Sequence, residues 1–384
     1  MRFLHTSDWH LGRLFHGVHL TDDQSYVLEE FIKLAQDSKP DAIIIAGDIY
    51  DRAIAPTEAV ELLDDTLSRL LLDCKIPVVI ISGNHDSPER LGFGNKLLAK
   101  QGLHLFGTLG VKTHPVVIPD KYGPVYFVPL SYAEPVLVRE VYKLDHIQSH
   151  EQAMLAMIDN VLKEVPANSR KVGIAHAFIA GAEESESERP LSVGGSSSVP
   201  ANIFSDFNYV ALGHLHNSQK AGAEYIRYSG SLMKYSFSEV NHKKGVCLVE
   251  LDGCSKVSTE VIDLKPRRNL RVLEGYFKDI LTDRDFHHDL DDYLLVRLKD
   301  ENPILDAMGR LRSVFPNVLS LERLNLNTQN ELRGLRSDHR KLTEVQLFDS
   351  FYEQVTGQLL STDQKSEFLK VMEDLYLQNR EAAK

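Results

Sequence analysis

Short apolar runs alternate with longer amphipathic stretches through the first two-thirds of the chain. Ala42 to Ala46, Val78 to Ser82, Val172 to Ala175 and Tyr209 to Leu212 are nearly continuous apolar runs, the pattern of strands buried on both faces. Between the first two, Thr57 to Cys74 repeats apolar residues at helical spacing, with Val60, Leu63, Leu67, Leu70 and Leu71 on one face. Pro56-Thr57-Glu58 is a good helix start, with proline in the first turn and an acid beside it. Strands alternating with helices predict an α/β core. After Glu224 the pattern becomes more all-β, with strands expected at Tyr225 to Tyr228, Gly245 to Leu251 and Val257 to Leu264.

Pro266-Arg267-Arg268 reads as a boundary. Beyond it the pattern predicts a strand at Leu270 to Leu273, a helix around Phe277 to Leu281 and a strand at Tyr293 to Leu298. A helix at Ile304 to Phe315 and a strand at Val318 to Leu324 complete a small α/β module. The expected organisation is a core at 1–263, the module at 264–326, a polar linker at 327–341 and two amphipathic helices at 342–384. Thr343-Glu344-Val345-Gln346 and Ser361-Thr362-Asp363-Gln364 fit the capping-box pattern of helix starts. Phe348, Phe351, Tyr352, Val355 and Leu359 form one apolar stripe; Phe368, Leu369, Met372, Leu375 and Tyr376 form the other. Gly181 to Pro200, rich in Glu, Ser and Gly, is a surface loop by composition.

At 384 residues, 43% apolar and 26% charged, the composition is that of a globular protein with a substantial core. No apolar run approaches the roughly 18 residues a membrane span needs, and the N-terminus runs straight into a strand-like pattern. Three cysteines, Cys74, Cys247 and Cys254, are too few and too scattered for a disulfide framework. A cytoplasmic protein without membrane contact is expected. The formal net charge of −12 argues against a broadly basic nucleic-acid binder.

Five polar clusters each sit where an apolar run ends: Asp8-Trp9-His10, Gly47-Asp48-Ile49-Tyr50-Asp51, Gly83-Asn84-His85-Asp86, His176, and Gly213-His214-Leu215-His216. Ligands of α/β sheets gather at the carboxyl ends of strands, so the clusters should converge in one crevice. The glycines before Asp48, Asn84 and His214 are expected to permit the sharp exit from a strand. Carboxylates, imidazoles and one amide oxygen without thiolate suit Mn²⁺, Fe²⁺ or Zn²⁺, and are too nitrogen-rich for a site made for Mg²⁺ alone. Asp8, His10, Asp48, Asn84, His176, His214 and His216 make seven candidate ligands, too many for one ion. Two ions about 3.5–4 Å apart would use them all. Asp48 is the expected bridge: one ion takes Asp8, His10, Asp48 and His216, the other Asp48, Asn84, His176 and His214. The implied reaction is metal-assisted hydrolysis of a phosphoester. His85 is left over to face the leaving oxygen as proton donor or hydrogen-bond donor. Asp51 and Asp86 are expected to orient ligands or cap loops; His5, His16, His19 and His104 have no comparable context.

Taken in order, Asp-x-His, Gly-Asp-x-x-Asp, Gly-Asn-His-Asp, His and Gly-His-x-His resemble the calcineurin-like metallophosphoesterase superfamily. The start Met1 to Gly12, Glu188 to Ser196, Tyr209 to His216 and Tyr228 to Leu232 are similar, more narrowly, to its SbcD-type nuclease subunits. The resemblance spans the chain and is strongest up to about residue 251. It implies a four-layer α/β sandwich of two β-sheets flanked by helices, with a small capping domain that binds DNA. It further implies a C-terminal helical pair that binds an SbcC-type ATPase with a long coiled coil. The family pattern implies a homodimer within a heterotetramer and an ATP-dependent, Mn²⁺-requiring nuclease that cuts duplex ends, hairpins and single strands in repair and recombination. Its ligand pattern falls on the same seven residues and its catalytic histidine on His85; at Asp51 the pattern departs from archaeal relatives and implies no role. The helix at 57–74 and the one after Ser87-Pro88-Glu89 resemble the family's dimer helices, although Leu63, Leu67 and Leu71 could equally be core.

Two other functions fit parts of this pattern. A small-molecule phosphodiesterase or phosphatase would use the same site but needs neither module nor tail. A non-catalytic scaffold would show a substituted ligand set, and none of the seven positions is substituted. Split along the chain, the charge is −10 over 1–263, +1 over 264–340 and −3 over the tail. The module is the one part that is not acidic, and Arg267, Arg268 and Arg271 at its entrance are either phosphate contacts or a solvated basic stretch.

Overall fold

A computed structural model describes residues 1–188, 191, 198–324, 348–349, 352–353, 359–368 and 370–371. The chain divides into two compact units, one of residues 1–274, 278–296 and 305–321, the other of 275–277, 297–304 and 322–384.

The first unit is built on two six-stranded sheets. In one, Arg2–Thr6, Ala42–Ala46, Val78–Ile81 and Leu103–Phe106 run parallel, and Gly245–Leu251 and Val257–Asp263 extend the sheet antiparallel beside Arg2–Thr6. In the other, Gly123–Leu130, Arg170–His176, Tyr209–Gly213 and Ala223–Tyr228 are parallel, flanked by the antiparallel edges Val116–Asp120 and Gln219–Ala221. Alternation along each strand divides its side chains between two cores. Ile44, Ala46, Val79 and Ile81 meet Phe127, Val172, Ile174 and Tyr209 between the sheets. Ile43, Ile45, Val78 and Ile80 pack outward on Val27, Phe31 and Ile32 of helix Thr21–Ser38 and on Leu63 and Leu67 of helix Thr57–Ser68. Val210 and Leu212 pack on Met154, Met157 and Ile158 of helix His150–Leu162. The result is the expected four-layer α/β/β/α sandwich, whose strands read as continuous apolar runs because both faces are covered.

A three-stranded sheet of Leu270–Gly275, Tyr293–Leu298 and Val318–Arg323 follows. Its helix differs from expectation: it covers only Ala307–Arg312, because Asp306 before it holds a left-handed backbone (φ 48°). The helix after Pro56 also departs from a regular stripe. It passes at Arg69 into a π-helical turn, Arg69–Asp73, which inserts an extra residue per turn. Leu70, within that turn, is fully buried, while Val60, expected on the same face, is 45% exposed.

In the second unit the backbone is helical at 362–368. The expected capping box is present: Gln364 N–H donates to Ser361 Oγ (3.3 Å) and Ser361 N–H to Gln364 Oε1 (2.9 Å). Phe348 stacks on Phe368 with ring centroids 4.1 Å apart. The linker at 327–341, the capping box at 343–346 and the stripe residues Phe351, Val355, Leu369, Met372, Leu375 and Tyr376 lie outside the described residues.

Candidate metal centre

All five clusters follow the carboxyl ends of strands, three in the first sheet and two in the second. The loops after Arg2–Thr6 and Ala42–Ala46 are zipped together by Asp8 N–H to Gly47 O (3.1 Å), His10 N–H to Asp48 O (3.0 Å) and Leu11 N–H to Ile49 O (2.9 Å). Asp8, His10, Asp48 and His214 all adopt positive φ, at 54°, 45°, 50° and 107°. Such backbones cost roughly 1–3 kcal/mol each and persist where the surroundings over-determine them.

The three glycines act differently from expectation. Of them, only Gly47 has a positive φ (91°). At Gly83 a Cβ would lie 2.1 Å from Asp48 Oδ1, and at Gly213 it would lie 1.9 Å from Ala46 O. Two of the three glycines are therefore required by close approach rather than by the turn itself.

The side chains meet in one buried cluster. Asp8, His10, Asp48, His176, His214 and His216 are each at most 2% exposed. Single ligand atoms of Asp8, His10 and His216 lie within 4.8 Å of one another, as do those of Asp8, Asp48 and His176. His10 Nε2 faces His216 Nε2 at 3.0 Å. Asp48 Oδ2 sits between His176 Nε2 (3.5 Å), His10 Nε2 (3.7 Å) and His85 Nε2 (3.9 Å). Asn84 Oδ1 is 2.9 Å from His176 Nε2. His214 joins neither group through a ring nitrogen; its ring lies edge-on to His176 at 5.5 Å and its N–H donates to Asp8 (3.0 Å). His85 stands beside the cluster, its N–H on Asp48 Oδ1 (2.9 Å) and its Nδ1 on the Asp51 carbonyl oxygen (2.8 Å).

The electrostatics fit a cation. Burial pushes Asp8 up to about 8, with Asp48 adding to the shift and His176 opposing it. Burial, reinforced by neighbouring imidazoles, holds His10 and His214 well below the usual histidine range, so both offer neutral nitrogen lone pairs at pH 7. Among the described residues the buried His10 Nδ1 has no hydrogen-bond partner. Oxygen and imidazole donors, buried like charge and an unsatisfied nitrogen are the features a divalent ion satisfies.

A second ring of side chains holds the cluster. Asp86 accepts N–H groups from Gly83 (2.9 Å), Tyr50 (3.0 Å) and Ile49 (3.2 Å), the loop-capping role expected of it. Asp51 pairs with Arg13 at 2.7 Å. Gln24 donates to the carbonyls of His10 (2.8 Å) and Trp9 (3.2 Å). His216 carries the largest support: Ser187 Oγ is 2.8 Å and Glu239 Oε1 3.4 Å from its Nδ1, and Glu188 accepts its N–H (2.8 Å). Lys244 donates to its carbonyl oxygen (2.6 Å) and pairs with Glu239 at 2.5 Å. Glu239, Lys244, Ser187, Glu188 and Gln24 escaped the sequence reading. Their only signal is indirect: each buried imidazole needs a partner for its second nitrogen.

Residues 1–218 match the family model of calcineurin-like phosphoesterases, and 266–356 match that of the type 5 capsule protein repressor C-terminal domain. The SbcD subunit of the nuclease SbcCD from Staphylococcus saprophyticus is 35% identical over 97% of this chain and 98% of its own length. That of Staphylococcus epidermidis is 34% identical over 94% and 95%. Among solved structures, a dimetal phosphatase from Danio rerio aligns with 68% of this chain and 98% of its own, at 12% identity and a TM-score of 0.39, too remote to bear on the site. With a matching family model over more than half its length and relatives alike from end to end, the chain belongs to the calcineurin-like phosphoesterases, in the family of the SbcD subunits of SbcCD nucleases.

Proposed function

We propose that this chain is the nuclease subunit of an SbcCD-type complex that hydrolyses DNA phosphodiesters at duplex ends, hairpins and single strands. One observation carries the reading: oxygen and nitrogen atoms of Asp8, His10, Asp48, Asn84, His176 and His216 come together at the strand ends of both sheets, with His85 beside them and the His214 ring edge-on to His176. In our assignment Asp8, His10, Asp48 and His216 hold one divalent ion and Asp48, Asn84, His176 and His214 the other, with Mn²⁺ the preferred metal. The pair, when bound, supplies an acidified water and neutralises charge on the phosphoryl group. His85 donates its Nδ1–H to the Asp51 carbonyl, which turns Nε2 toward the cluster, where it gives a proton or hydrogen bond to the leaving oxygen.

The partner is an SbcC-type ATPase that supplies ATP dependence, docked on the C-terminal helices, where Leu359 is 75% exposed. A homodimer is assigned to the helices at 57–74 and after Ser87, where Leu72, Phe93 and Leu97 are 65%, 85% and 75% exposed. Three free thiols, one exposed, fit the reducing cytoplasm.

The test is cleavage of linear and hairpin DNA with Mn²⁺, with and without the ATPase and ATP. His85→Ala should abolish cutting, a loss of at least 10²-fold, while Mn²⁺ still titrates into the protein. Cutting at the unaltered rate would remove His85 from the mechanism. Robust turnover of a small chromogenic diester without DNA cleavage would favour the small-molecule phosphodiesterase instead.

A further inference from the structure

Behind His216 the first unit contains a cavity of about 230 Å³ whose lining is cationic although the chain as a whole is acidic. Lys234, Lys243 and Lys265 stand around it, over a floor that includes Met233, Leu264 and Leu270. Lys244 and Arg268 also line it, but Glu239 and Asp23 neutralise them. Among the described residues no ion pair ties Lys234, Lys243 or Lys265, and the one carboxylate in the lining is the exposed Asp263. Among the described residues Lys234 donates only to the Val240 carbonyl oxygen (2.5 Å). Burial and the neighbouring Lys244 depress its pKa against the opposing pull of Glu239 and Asp292. The buried Nδ1 of His242, also in the lining, has no hydrogen-bond partner among the described residues. The cavity adjoins the metal centre through Lys244, whose ammonium reaches the His216 carbonyl, and Ser231, whose N–H donates to the same oxygen at 3.2 Å.

We propose that this cavity seats a backbone phosphate of the substrate strand, with Lys243 and Lys265 as its outer contacts, Lys234 as the inner one, and the apolar floor under the deoxyribose. The inference rests on the nuclease reading and names where the strand is held. Two of the three arginines expected from sequence for this task are otherwise engaged: Arg268 pairs with Asp23 (3.0 Å) and Arg271 with Asp292 (2.7 Å), while Arg267 is exposed. Unpaired ammonium groups release counterions from DNA on contact, which gives a lysine–phosphate contact a measurable signature.

The experiment measures binding of a fluorescent DNA hairpin to the full chain by anisotropy as salt is raised. Lys243 and Lys265 are exposed, so Lys243→Gln/Lys265→Gln should fold, as a melting curve verifies. A lost phosphate contact lowers the slope of log affinity against log salt by about 0.9, so the double variant, which strips the outer contacts of the one phosphate, should lose about 0.9. Lys100→Gln/Lys256→Gln, the same charge change at exposed sites away from the cavity, should keep the original slope. An unchanged slope in the cavity variant, or an equal drop in the control, overturns the inference alone. Absence of hairpin binding by the unaltered chain at low salt overturns the inference, whereas absence of Mn²⁺-dependent hairpin cleavage with the ATPase and ATP overturns the nuclease reading and the inference with it.

Discussion

Glu239 is fully buried in a charged array, with Ser187, Lys244 and the His216 ring around one carboxylate. Held between Ser187 and Glu239, His216 Nδ1 carries the proton, and Nε2 is left with its lone pair facing His10. Glu239→Gln keeps the shape but removes the counter-charge of Lys244 and weakens the acceptor. Partners of this kind change metal affinity by about 10–100-fold. Orphaning the buried lysine should also lower stability by about 3 kcal/mol. Calorimetric titration with Mn²⁺ separates the two effects, since Ser187→Ala should weaken binding without stranding a charge. A folded Glu239→Gln protein that binds Mn²⁺ as tightly as the original would show that the tautomer is set elsewhere.

At the level of elements, the centre depends on how closely the two strand-end loops approach. A methyl group at residue 83 would lie 2.1 Å from Asp48 Oδ1 and 2.4 Å from the Asp48 amide nitrogen. Gly83→Ala should therefore push the loops apart, costing about 1–3 kcal/mol and most of the Mn²⁺ binding. Gly123→Ala, at a hairpin where nothing lies within 4 Å, meets only the strain of φ 111°, and Mn²⁺ titration should not change. Equal metal binding by both variants would mean that the loops tolerate the displacement. The same comparison explains what was legible in advance. Strands such as Ala42–Ala46 and Gly245–Leu251 are readable because burial on one or both faces writes itself into the residue pattern. The clusters are readable because chemistry concentrates where those runs stop. Illegible were the reason for Gly83 and Gly213, which depends on a second strand, and the support from Glu239, 23 residues beyond His216. The π-helical turn at Arg69–Asp73 was equally hidden, since its residues fit an α-helix as well.

Taken whole, the molecule carries a net charge of −12 and must hold a polyanion if it is a DNA nuclease. Two of the three arginines at the module's entrance, Arg268 and Arg271, are committed to carboxylates and are not free to hold phosphate. The cavity behind His216 offers three ammonium groups without carboxylate partners among the described residues. One phosphate held by them would give a salt slope of about −0.9, so affinity should drop only about 3.5-fold between 50 and 200 mM salt, the signature of a small electrostatic contact. Against the repulsion of an acidic surface, that leaves the isolated chain a weak binder at physiological ionic strength. Tight binding there should appear only when the SbcC-type ATPase adds its own contacts and ties two copies to one DNA, which raises the effective concentration of the second. Anisotropy of a labelled hairpin at about 150 mM salt decides the point: a small signal for the chain alone, rising steeply on addition of the ATPase and ATP. Saturable binding by the chain alone at nanomolar concentration would require a basic surface that its charge distribution does not provide.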